Sequence, residues 1–414
     1  MSVSLTTNPL QGAYVGQSDE GSLQVAVPPN VSSDFSSSTI ASLPEKNEIE
    51  SLVLSRILPT TTSALILGEA SIPLIDLAAI DQSHGVLREE LIKQFGDGLR
   101  DVGFIAIKAE SLTLLIDRVN LEMSKYFSLP IEEKMKDWRE TSQSGFSQEG
   151  RETAAGAKKA DLKETFFIPP HYTDWPANRP EFKQVMEFYH GELTALASIV
   201  MGYISEYLKE PTEEVSKSVN SAQNLLRLAH YPAAKASDDP EAVWAGAHED
   251  LNLLTLLPPS TVPGLQLMTK DGQWEAVNVP KGYLIVNTGE QLQSKTAGMI
   301  KATRHQVVNP GGEYAYQKRL ASIFFASWSS DFSLKPFASC VNKITAEMSE
   351  VEKGRYLEQF PEVNVQENLL SRLIEMGVIP GSDKELVGSL YQKGLLRNPS
   401  EELIRLHPEM FAVK

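Results

Sequence analysis

The segment 244-WAGAHEDLNLLTLL-257 has a histidine and two carboxylates immediately before a run of apolar residues. If the segment is a β-strand, alternate side chains face the same way, so His248 and Asp250 share one face and Glu249 lies on the other. An imidazole and a carboxylate on one face are two ligands of the 2-His-1-carboxylate triad that binds non-haem Fe(II). The alternative is a polar turn that leads into a buried strand. Glu249 could replace Asp250 as the ligand, but the strand alternation favours Asp250.

The second histidine of such a triad has to come from elsewhere in the chain. His305 is the best candidate of the seven histidines, because it lies in 300-IKATRHQVV-308, a strand-like segment 57 residues after His248. A pair of strands across a barrel or sandwich could bring the two imidazoles together. Spacing alone does not decide between a metal site and a polar turn, so the surrounding pattern has to decide.

Short apolar runs separated by turn signals fill residues 222–328, which predicts a β-sandwich or barrel, with a jelly roll as one solution. Asp271-Gly272, between 265-LQLMT-269 and 274-WEAVNV-279, is a strong hairpin signal. Other predicted elements are strands at 72–75 and 104–108 and helices at 86–103, 112–129, 182–209, 346–360 and 366–377.

Composition and charge limit the class of function. The chain has 414 residues and a formal net charge of −16 at pH 7. The charge argues against a general nucleic-acid binder, because affinity for phosphate backbones comes from Lys and Arg. The single cysteine, Cys340, excludes an intramolecular disulfide and a cysteine-ligated cluster, and we expect it to be a small buried residue. No apolar run could span a bilayer and no targeting pattern is present, so we expect a cytoplasmic protein with a small-molecule partner.

The pattern around the candidate ligands resembles the isopenicillin N synthase-like, plant-type family of Fe(II)/2-oxoglutarate-dependent oxygenases. The resemblance covers roughly residues 70–335 and depends on the order and spacing of several motifs. They are His248-x-Asp250, 254-LTLL-257, 264-GLQL-267, Gly272-x-Trp274, Val286-Asn287-x-Gly289-Glu290-x-Leu292-Gln293, Thr296-x-Gly298 and His305, preceded by 72-IPLIDL-77 and 103-GFIAIK-108.

The resemblance implies an α+β fold with a double-stranded β-helix (jelly roll) core, flanking N-terminal helices and a helical C-terminal extension. The implied ligands of Fe(II) are His248, Asp250 and His305, with positions left open for 2-oxoglutarate and O2. The implied activity is oxidation of an unactivated C–H bond in a small substrate, for example an amino-acid-derived secondary metabolite. Hydroxylation, desaturation and ring closure all begin with the same hydrogen abstraction.

We accordingly expect four regions along the chain. Residues 1–66, rich in Ser, Thr and Pro, are predicted to be a mostly disordered extension. Residues 67–220 are expected to form the helices and strands that precede the core, 221–335 the jelly-roll oxygenase core, and 336–414 a helical extension. We expect a monomer or a weak homodimer.

The resemblance also implies how the co-substrate is held. Arg319 matches the arginine of the family's R-x-S motif, and a guanidinium suits the distal carboxylate of 2-oxoglutarate. Tyr231 matches a tyrosine that commonly assists there. The chain departs from the pattern at Ala321, which occupies the serine position, while Ser322 would face the other way in a strand.

Two other functions stay open. A 2-oxoglutarate-independent Fe(II) oxidase or cyclase of the isopenicillin N synthase type would use the same pocket for substrate, and a metal-free jelly roll would only bind a ligand. The complete set His248, Asp250 and His305 argues against the metal-free alternative, because a binding module does not require all three.

Other polar residues have simpler interpretations. We expect His230 to be packed or hydrogen-bonded and Arg304 to point away from the metal. A small basic cluster is expected either to be solvated or to hold an anionic substrate from a lid segment. Its members are Arg151, Lys158, Lys159 and Lys163.

Overall fold

The computed structural model describes residues 72–139, 143–150, 163–220, 223–233, 244–314, 316–377 and 379–411. The predicted N-terminal extension lies outside the described residues. So do Arg151, Lys158 and Lys159 of the basic cluster.

Strands within the described residues alternate with loops and helices along the chain. They are β1 (Leu74–Ile75), β2 (Phe104–Lys108), β3 (Gly145–Ser147), β4 (Glu164–Ile168), β5 (Leu225–Tyr231), β6 (Ala245–His248), β7 (Leu254–Leu257), β8 (Leu265–Met268), β9 (Trp274–Ala276), β10 (Tyr283–Thr288), β11 (His305–Val307) and β12 (Arg319–Ala326).

These strands form two sheets that pack against each other. The larger sheet has the order β1-β2-β10-β7-β12-β5-β4-β3, and the smaller has the order β6-β11-β8-β9. One apolar cluster lies between the sheets, where Trp244 and Leu265 of the small sheet's side meet Tyr231 and Ile323 of the large one. The result is the predicted α+β fold with a double-stranded β-helix core.

Helices cover the outer face of the large sheet and continue after the core. Within the described residues they are Leu77–Gln82, Gly85–Asp101, Thr113–Phe127, Ile131–Lys134, Pro180–Leu208, Thr212–Asn220, Glu290–Lys295, Ala338–Ile344, Glu350–Leu357, Val365–Glu375, Lys384–Gln392, Glu401–Leu406 and Pro408–Phe411. None of them is long and apolar enough to cross a membrane.

The two faces of strand β12 contribute side chains to two different apolar cores. Its side chains alternate, so Ala321 and Ile323 face the space between the sheets, while Leu320 and Phe324 pack under the helices. The long helix Pro180–Leu208 supplies most of that second core through the stripe of buried residues predicted from its spacing. The large sheet is therefore apolar on its helix side and free to present polar groups on its inner side.

The predicted hairpin is confirmed: β8 and β9 pair antiparallel, and Gly272 between them has φ +82°. A continuous strand through Asp250 was wrong, because β6 ends at His248. After His248 the chain leaves the small sheet and crosses to the large one, where β7 begins at Leu254. The crossing is fixed by Asn252, whose Nδ2 donates to the carbonyl of Leu254 at 2.7 Å. Asp250 therefore lies in the crossing segment and not in a strand.

The C-terminal extension packs on the body of the protein. Arg372 in the helix Val365–Glu375 pairs with Glu290 at 2.9 Å, and Tyr356 Oη donates to the carbonyl of Ala297 at 2.7 Å. Both contacts are to the segment that follows β10. The backbone N–H of that same Glu290 donates to the carbonyl of Asp250 at 2.8 Å. The extension therefore supports the loop that carries Asp250.

Candidate metal centre and co-substrate pocket

Three candidate ligands from separate parts of the sequence lie together at one end of the space between the sheets. His248 and His305 are register partners in the β6–β11 pair, and their ring centroids are 4.5 Å apart. Asp250 Oδ1 lies 3.6 Å from His248 Nε2 and 3.8 Å from His305 Nε2. The three candidate donor atoms all lie within 4.8 Å of one another, which is close enough for one ion. Glu249 is exposed and is not part of this group.

Backbone carbonyls determine which ring nitrogens face the centre. His248 Nδ1 lies 2.7 Å from the carbonyl of Gly246, and His305 Nδ1 lies 3.0 Å from the carbonyl of Thr303. A carbonyl can only accept a hydrogen bond, so each Nδ1 carries a proton, and Nε2 is the nitrogen that has the lone pair whenever the ring is neutral. Both Nε2 atoms face the side of Asp250, so one divalent metal placed between the three residues could be bound by all of them.

One oxygen of the Asp250 carboxylate is already held by the large sheet. Oδ2 accepts hydrogen bonds from Thr255 Oγ1 at 2.6 Å and from Asn287 Nδ2 at 2.7 Å, which leaves Oδ1 facing the histidines. Thr255 in β7 and Asn287 in β10 are register partners, so they form a platform for the carboxylate. Gly289 packs close to this loop, and a Cβ there would lie 2.1 Å from the carbonyl oxygen of Asn252.

The roles of Thr255 and Asn287 were not assigned from the sequence. The signal that could have found them is a polar residue within each of two otherwise apolar strands, 254-LTLL-257 and 283-YLIVNT-288. Both side chains are buried, and a buried polar group requires a partner. Which partner it has depends on the pairing of distant strands, which the sequence pattern does not reveal.

The protonation states of the group suit metal binding. Burial alone would raise the pKa of the Asp250 carboxyl, but the positive charge that His305 and His248 carry when they are protonated, together with the Thr255 hydroxyl, holds it well below its usual range. Burial lowers the pKa of His305, which favours the neutral imidazole. An ionised carboxylate and a neutral imidazole are the forms that bind Fe(II).

A pocket of about 450 Å³, including its open mouth, extends from this group between the sheets. Arg319 lines the pocket and is only 1% exposed. Its Nε donates to the carbonyl of Val262 at 3.0 Å, and its Cζ lies 4.9 Å from the centre of the Tyr231 ring. Tyr231 is the register partner of Arg319 on β5. The two residues expected to bind the co-substrate therefore lie side by side.

The Arg319 guanidinium has capacity left for a ligand. Among the residues that the structure describes, none accepts a hydrogen bond from its buried Nη1. Burial lowers the pKa of Arg319 while Tyr231 acts to raise it, and an arginine stays charged in either case. A buried cation with an unused N–H in a pocket is a site for an anion, and a carboxylate matches the guanidinium geometry.

No hydroxyl from β12 enters the pocket beside Arg319 within the described part of the chain. Ala321 lines the pocket, whereas Ser322 faces the helices, where its Oγ lies 3.0 Å from Tyr189 Oη. The expected orientation of Ser322 is therefore confirmed. The departure from the R-x-S motif removes a hydrogen-bonding group from the pocket.

The other predicted polar residues have varied environments. His230 Nδ1 lies 2.7 Å from Glu164 Oε1, and its ring stacks on Phe127, so the expectation of a hydrogen-bonded histidine is confirmed. Arg304 is exposed. Lys163 is 5% exposed, so a solvated position was wrong for this member of the basic cluster. Cys340 is buried, as expected.

A second arginine in the pocket was not singled out from the sequence. Arg227 lies on β5 and lines the same pocket as Arg319. It is four residues before Tyr231, so the alternation of strand side chains puts both on the inner face. That period could have identified Arg227 once Tyr231 was assigned to the pocket.

A jelly-roll core with a His-Asp-His group beside a buried arginine is the arrangement of a non-haem Fe(II) oxygenase. Residues 72–187 match the model of the N-terminal domain described as non-haem dioxygenase in morphine synthesis. Residues 222–327 match the 2OG-Fe(II) oxygenase superfamily. The chain belongs to the Fe(II)/2-oxoglutarate-dependent oxygenase family. It is an oxidoreductase, and its family uses Fe(II), 2-oxoglutarate and O2.

Individual relatives agree with this family. Flavanone 3-dioxygenase 2 of Oryza sativa subsp. japonica is 29% identical over 255 residues, which are 59% of this chain and 71% of that protein. Homoarginine-6-hydroxylase 2-ODD-C23.1 of Arabidopsis thaliana is 27% identical over 304 residues, 66% of this chain and 89% of that protein. The crystal structure of full-length Neurospora crassa T7H in complex with alpha-KG matches with a TM-score of 0.64 and 26% identity, covering 73% of this chain and 95% of that one.

Proposed function

We propose that this enzyme oxidises an unactivated C–H bond of a small organic substrate. In this proposal His248, Asp250 and His305 bind Fe(II), and Arg319 with Tyr231 binds the distal carboxylate of 2-oxoglutarate. The observation that carries the proposal is the buried Nη1 of Arg319. Among the described residues it has no acceptor, and it lines the same pocket as the three candidate ligands.

Hydrogen bonds within the protein orient the donor atoms of the metal centre. The carbonyls of Gly246 and Thr303 fix the ring orientation of the two histidines, and Thr255 with Asn287 fixes the carboxylate. Three protein ligands on one side of an ion leave the other side open. Bound Fe(II), with 2-oxoglutarate and O2, supplies the oxidising power for C–H cleavage.

The residues of the pocket orient the co-substrate and exclude water. The hydrogen bond to the carbonyl of Val262 and the contact with the Tyr231 ring orient the Arg319 guanidinium. Its Nη1 can then donate to a carboxylate in the pocket. A dicarboxylate held there by one end directs its other end along the pocket towards the three ligands. Apolar side chains line the space between, among them Leu257, Leu265 and Ile323. Such a lining keeps bulk water from the reacting groups.

Hydroxylation is the reaction that we propose first. Two of the relatives are named for a flavanone and for homoarginine, which are chemically different small molecules. Desaturation and oxidative ring closure begin with the same C–H cleavage and depend on where the substrate lies.

A second candidate function follows from Ala321. Because a hydroxyl is missing beside Arg319, the anchor for 2-oxoglutarate has one group fewer than the family motif provides. An Fe(II) oxidase or cyclase that needs no 2-oxoglutarate would tolerate this loss. The two functions differ in whether the protein consumes 2-oxoglutarate.

The experiment that tests the proposed function measures succinate released from 2-oxoglutarate by the full-length protein with Fe(II) and O2. The assay follows the co-substrate itself, so it does not require the organic substrate to be known. We expect succinate from the wild type and none from Arg319→Met, while Arg304→Met, a matched exposed arginine, keeps the wild-type rate. Equal succinate release from Arg319→Met would contradict the proposed anchor, and consumption of O2 without succinate would favour the oxidase.

A further inference from the structure

The three candidate metal ligands are not supported in the same way. His248 and His305 lie in paired strands, so the backbone ladder fixes their positions. Asp250 lies after the end of β6 and before the start of β7, where the chain crosses between the sheets. The backbone position of Asp250 therefore depends on contacts with segments that are distant in sequence.

Three consecutive backbone N–H groups hold the crossing segment. They belong to residues 289–291, where the helix Glu290–Lys295 begins. In chain order, they donate to the carbonyls of Leu253 at 3.0 Å, Asp250 at 2.8 Å and Asn252 at 3.2 Å. Residues 289–291 therefore cannot shift without moving the backbone of Asp250 or losing hydrogen bonds that this backbone requires.

The side chain of Glu290 connects this contact to the C-terminal extension. It is only 15% exposed, and its carboxylate pairs with Arg372 Nη2 at 2.9 Å. Arg372 Nη1 pairs with the buried carboxylate of Glu375 at 2.8 Å. The other oxygen of Glu375 accepts a hydrogen bond from the backbone N–H of Asn398 at 2.6 Å. Arg372 therefore joins a carboxylate of the oxygenase core to a carboxylate of the extension.

We propose that Arg372 is a positioning residue for the metal centre and that, through it, the C-terminal extension sets the affinity for the metal. Arg372 fixes Glu290, and Glu290 holds the backbone of Asp250. The inference rests on the proposed function, because it takes Asp250 as a metal ligand. A partly buried carboxylate without its cation is costly. Without Arg372, the Glu290 side chain should move towards solvent and displace residues 289–291 together with Asp250.

The first measurement is the affinity of the full-length, metal-free protein for Co(II), by competition with a chelator of known affinity. Arg372→Met should weaken Co(II) binding about fivefold. Arg372→Lys should restore most of the affinity, because it keeps a cation beside Glu290. Arg397→Met is the matched control and should keep the wild-type affinity, since Arg397 donates to the carbonyl of Glu358 at 2.7 Å, within the extension.

The second measurement separates the connection through Glu290 from a general loss of stability. Glu290→Gln removes the charge with which Arg372 pairs. In that background Arg372→Met should cause little further loss of Co(II) affinity, because the two changes interrupt the same connection. Thermal unfolding of each variant without metal checks that the fold survives.

The third measurement uses the reciprocity of linked binding equilibria. If the contact between Arg372 and Glu290 raises the affinity for metal, bound metal must stabilise that contact by the same amount. Saturating Co(II) should therefore slow amide hydrogen exchange in the helix Val365–Glu375 of the wild type more than in the helix Lys384–Gln392. This difference should disappear in Arg372→Met. An arginine that only stabilises the extension would not produce it.

Three results would overturn the inference. They are wild-type Co(II) affinity in Arg372→Met, an equal loss of affinity in Arg397→Met, and a full further loss when Arg372→Met is added to Glu290→Gln. If Arg372→Met does not fold, the wild type decides by hydrogen exchange, and Co(II) that fails to slow the helix Val365–Glu375 selectively would overturn the inference. A wild type that binds no Co(II) contradicts the metal centre of the proposed function, and the inference fails with it. Equal Co(II) binding by the wild type and the variants overturns the inference alone.

Discussion

His248 and His305 lie directly opposite each other across the β6–β11 strand pair, although many residues separate them in the sequence. Their ring centroids are 4.5 Å apart, and both Nε2 atoms approach the same carboxylate oxygen of Asp250. Neighbouring strands hold the two rings, so their separation is set by the backbone ladder. The two histidines are thus held by adjacent strands, whereas the carboxylate comes from the segment that crosses between the sheets.

Asp250→Ala should abolish Fe(II) binding while the protein stays folded. The substitution removes the only carboxylate that lies between the two histidines among the described residues. Glu249→Ala is the matched control, because it removes an adjacent carboxylate that is exposed. Metal content after anaerobic loading and gel filtration, with circular dichroism as the check of folding, measures both. Iron retained by Asp250→Ala at the wild-type level would refute the ligand assignment.

Asn287→Leu and Thr255→Val should weaken metal binding by about 10–100-fold each, because each removes one of the hydrogen bonds to Asp250 Oδ2 that orient the carboxylate. Both changes keep the approximate shape of the side chain. The measurement is a competition titration of Co(II) against a chelator of known affinity. Thr288→Val is a useful control, since Thr288 donates to the carbonyl of Lys301 at 2.6 Å and not to Asp250. Equal losses in all three variants would point to a general loss of stability instead.

Ala321→Ser should tighten the binding of 2-oxoglutarate. The new hydroxyl would face the pocket beside Arg319 and add one hydrogen bond, worth about 1 kcal/mol or roughly fivefold in the dissociation constant. Ser322→Ala is the companion variant: it loses the contact with Tyr189, so it should lower the free energy of unfolding by about 1 kcal/mol and leave the affinity unchanged. Isothermal titration with 2-oxoglutarate under anaerobic conditions measures the first effect. A weaker affinity in Ala321→Ser would mean that the alanine is required for space.

Glu164→Gln should change how stability depends on pH. Burial alone would raise the pKa of Glu164, but hydrogen bonds from His230 and Lys134 outweigh it and lower the pKa. A carboxyl whose pKa is lowered by folding stabilises the protein above its unfolded pKa of about 4.3, and this contribution is lost as pH falls through the folded pKa. The glutamine variant leaves Lys134 without its buried partner and should be less stable by about 3 kcal/mol at pH 7.

Urea unfolding of both proteins between pH 7 and acid measures this prediction. The difference in unfolding free energy between wild type and Glu164→Gln should be constant near neutral pH and shrink below the unfolded pKa of a glutamate. A difference that does not change over the acid range would mean that Glu164 ionises in the folded protein as it does in the unfolded one.

Local patterns predicted much of the fold. The period of the helix Pro180–Leu208 and the turn signal Asp271-Gly272 each identified an element that the structure contains. These elements depend on residues that are close in sequence, so a local sequence pattern can predict them. By contrast, the strand expected to run through Asp250 ends at His248, because the chain changes sheets there. Where a chain leaves a sheet depends on contacts with residues distant in sequence; here the backbone N–H of Leu253 donates to the carbonyl of Ala326 at 2.9 Å.

The candidate site was only partly predictable for the same reason. The motif order pointed to His248, Asp250 and His305 as a group, but the support from Thr255 and Asn287 depends on a strand pair that a single sequence does not reveal. Sequence motifs identify the candidate ligands, because their residue types are unusual for a strand. Motifs do not identify the neighbours that orient those ligands, because each neighbour looks like any other polar residue when the strand pairing is not known.

The most direct test of the central claim is the absorption spectrum of the anaerobic protein after addition of Fe(II) and then 2-oxoglutarate. We expect a weak visible band in the wild type that requires both additions. The band should be absent from His305→Ala, which lacks a metal ligand, and should need far more 2-oxoglutarate in Arg319→Met. A wild-type protein that binds Fe(II) but forms no band with 2-oxoglutarate would contradict the assignment of Arg319. Failure to bind Fe(II) at all would contradict the metal centre itself.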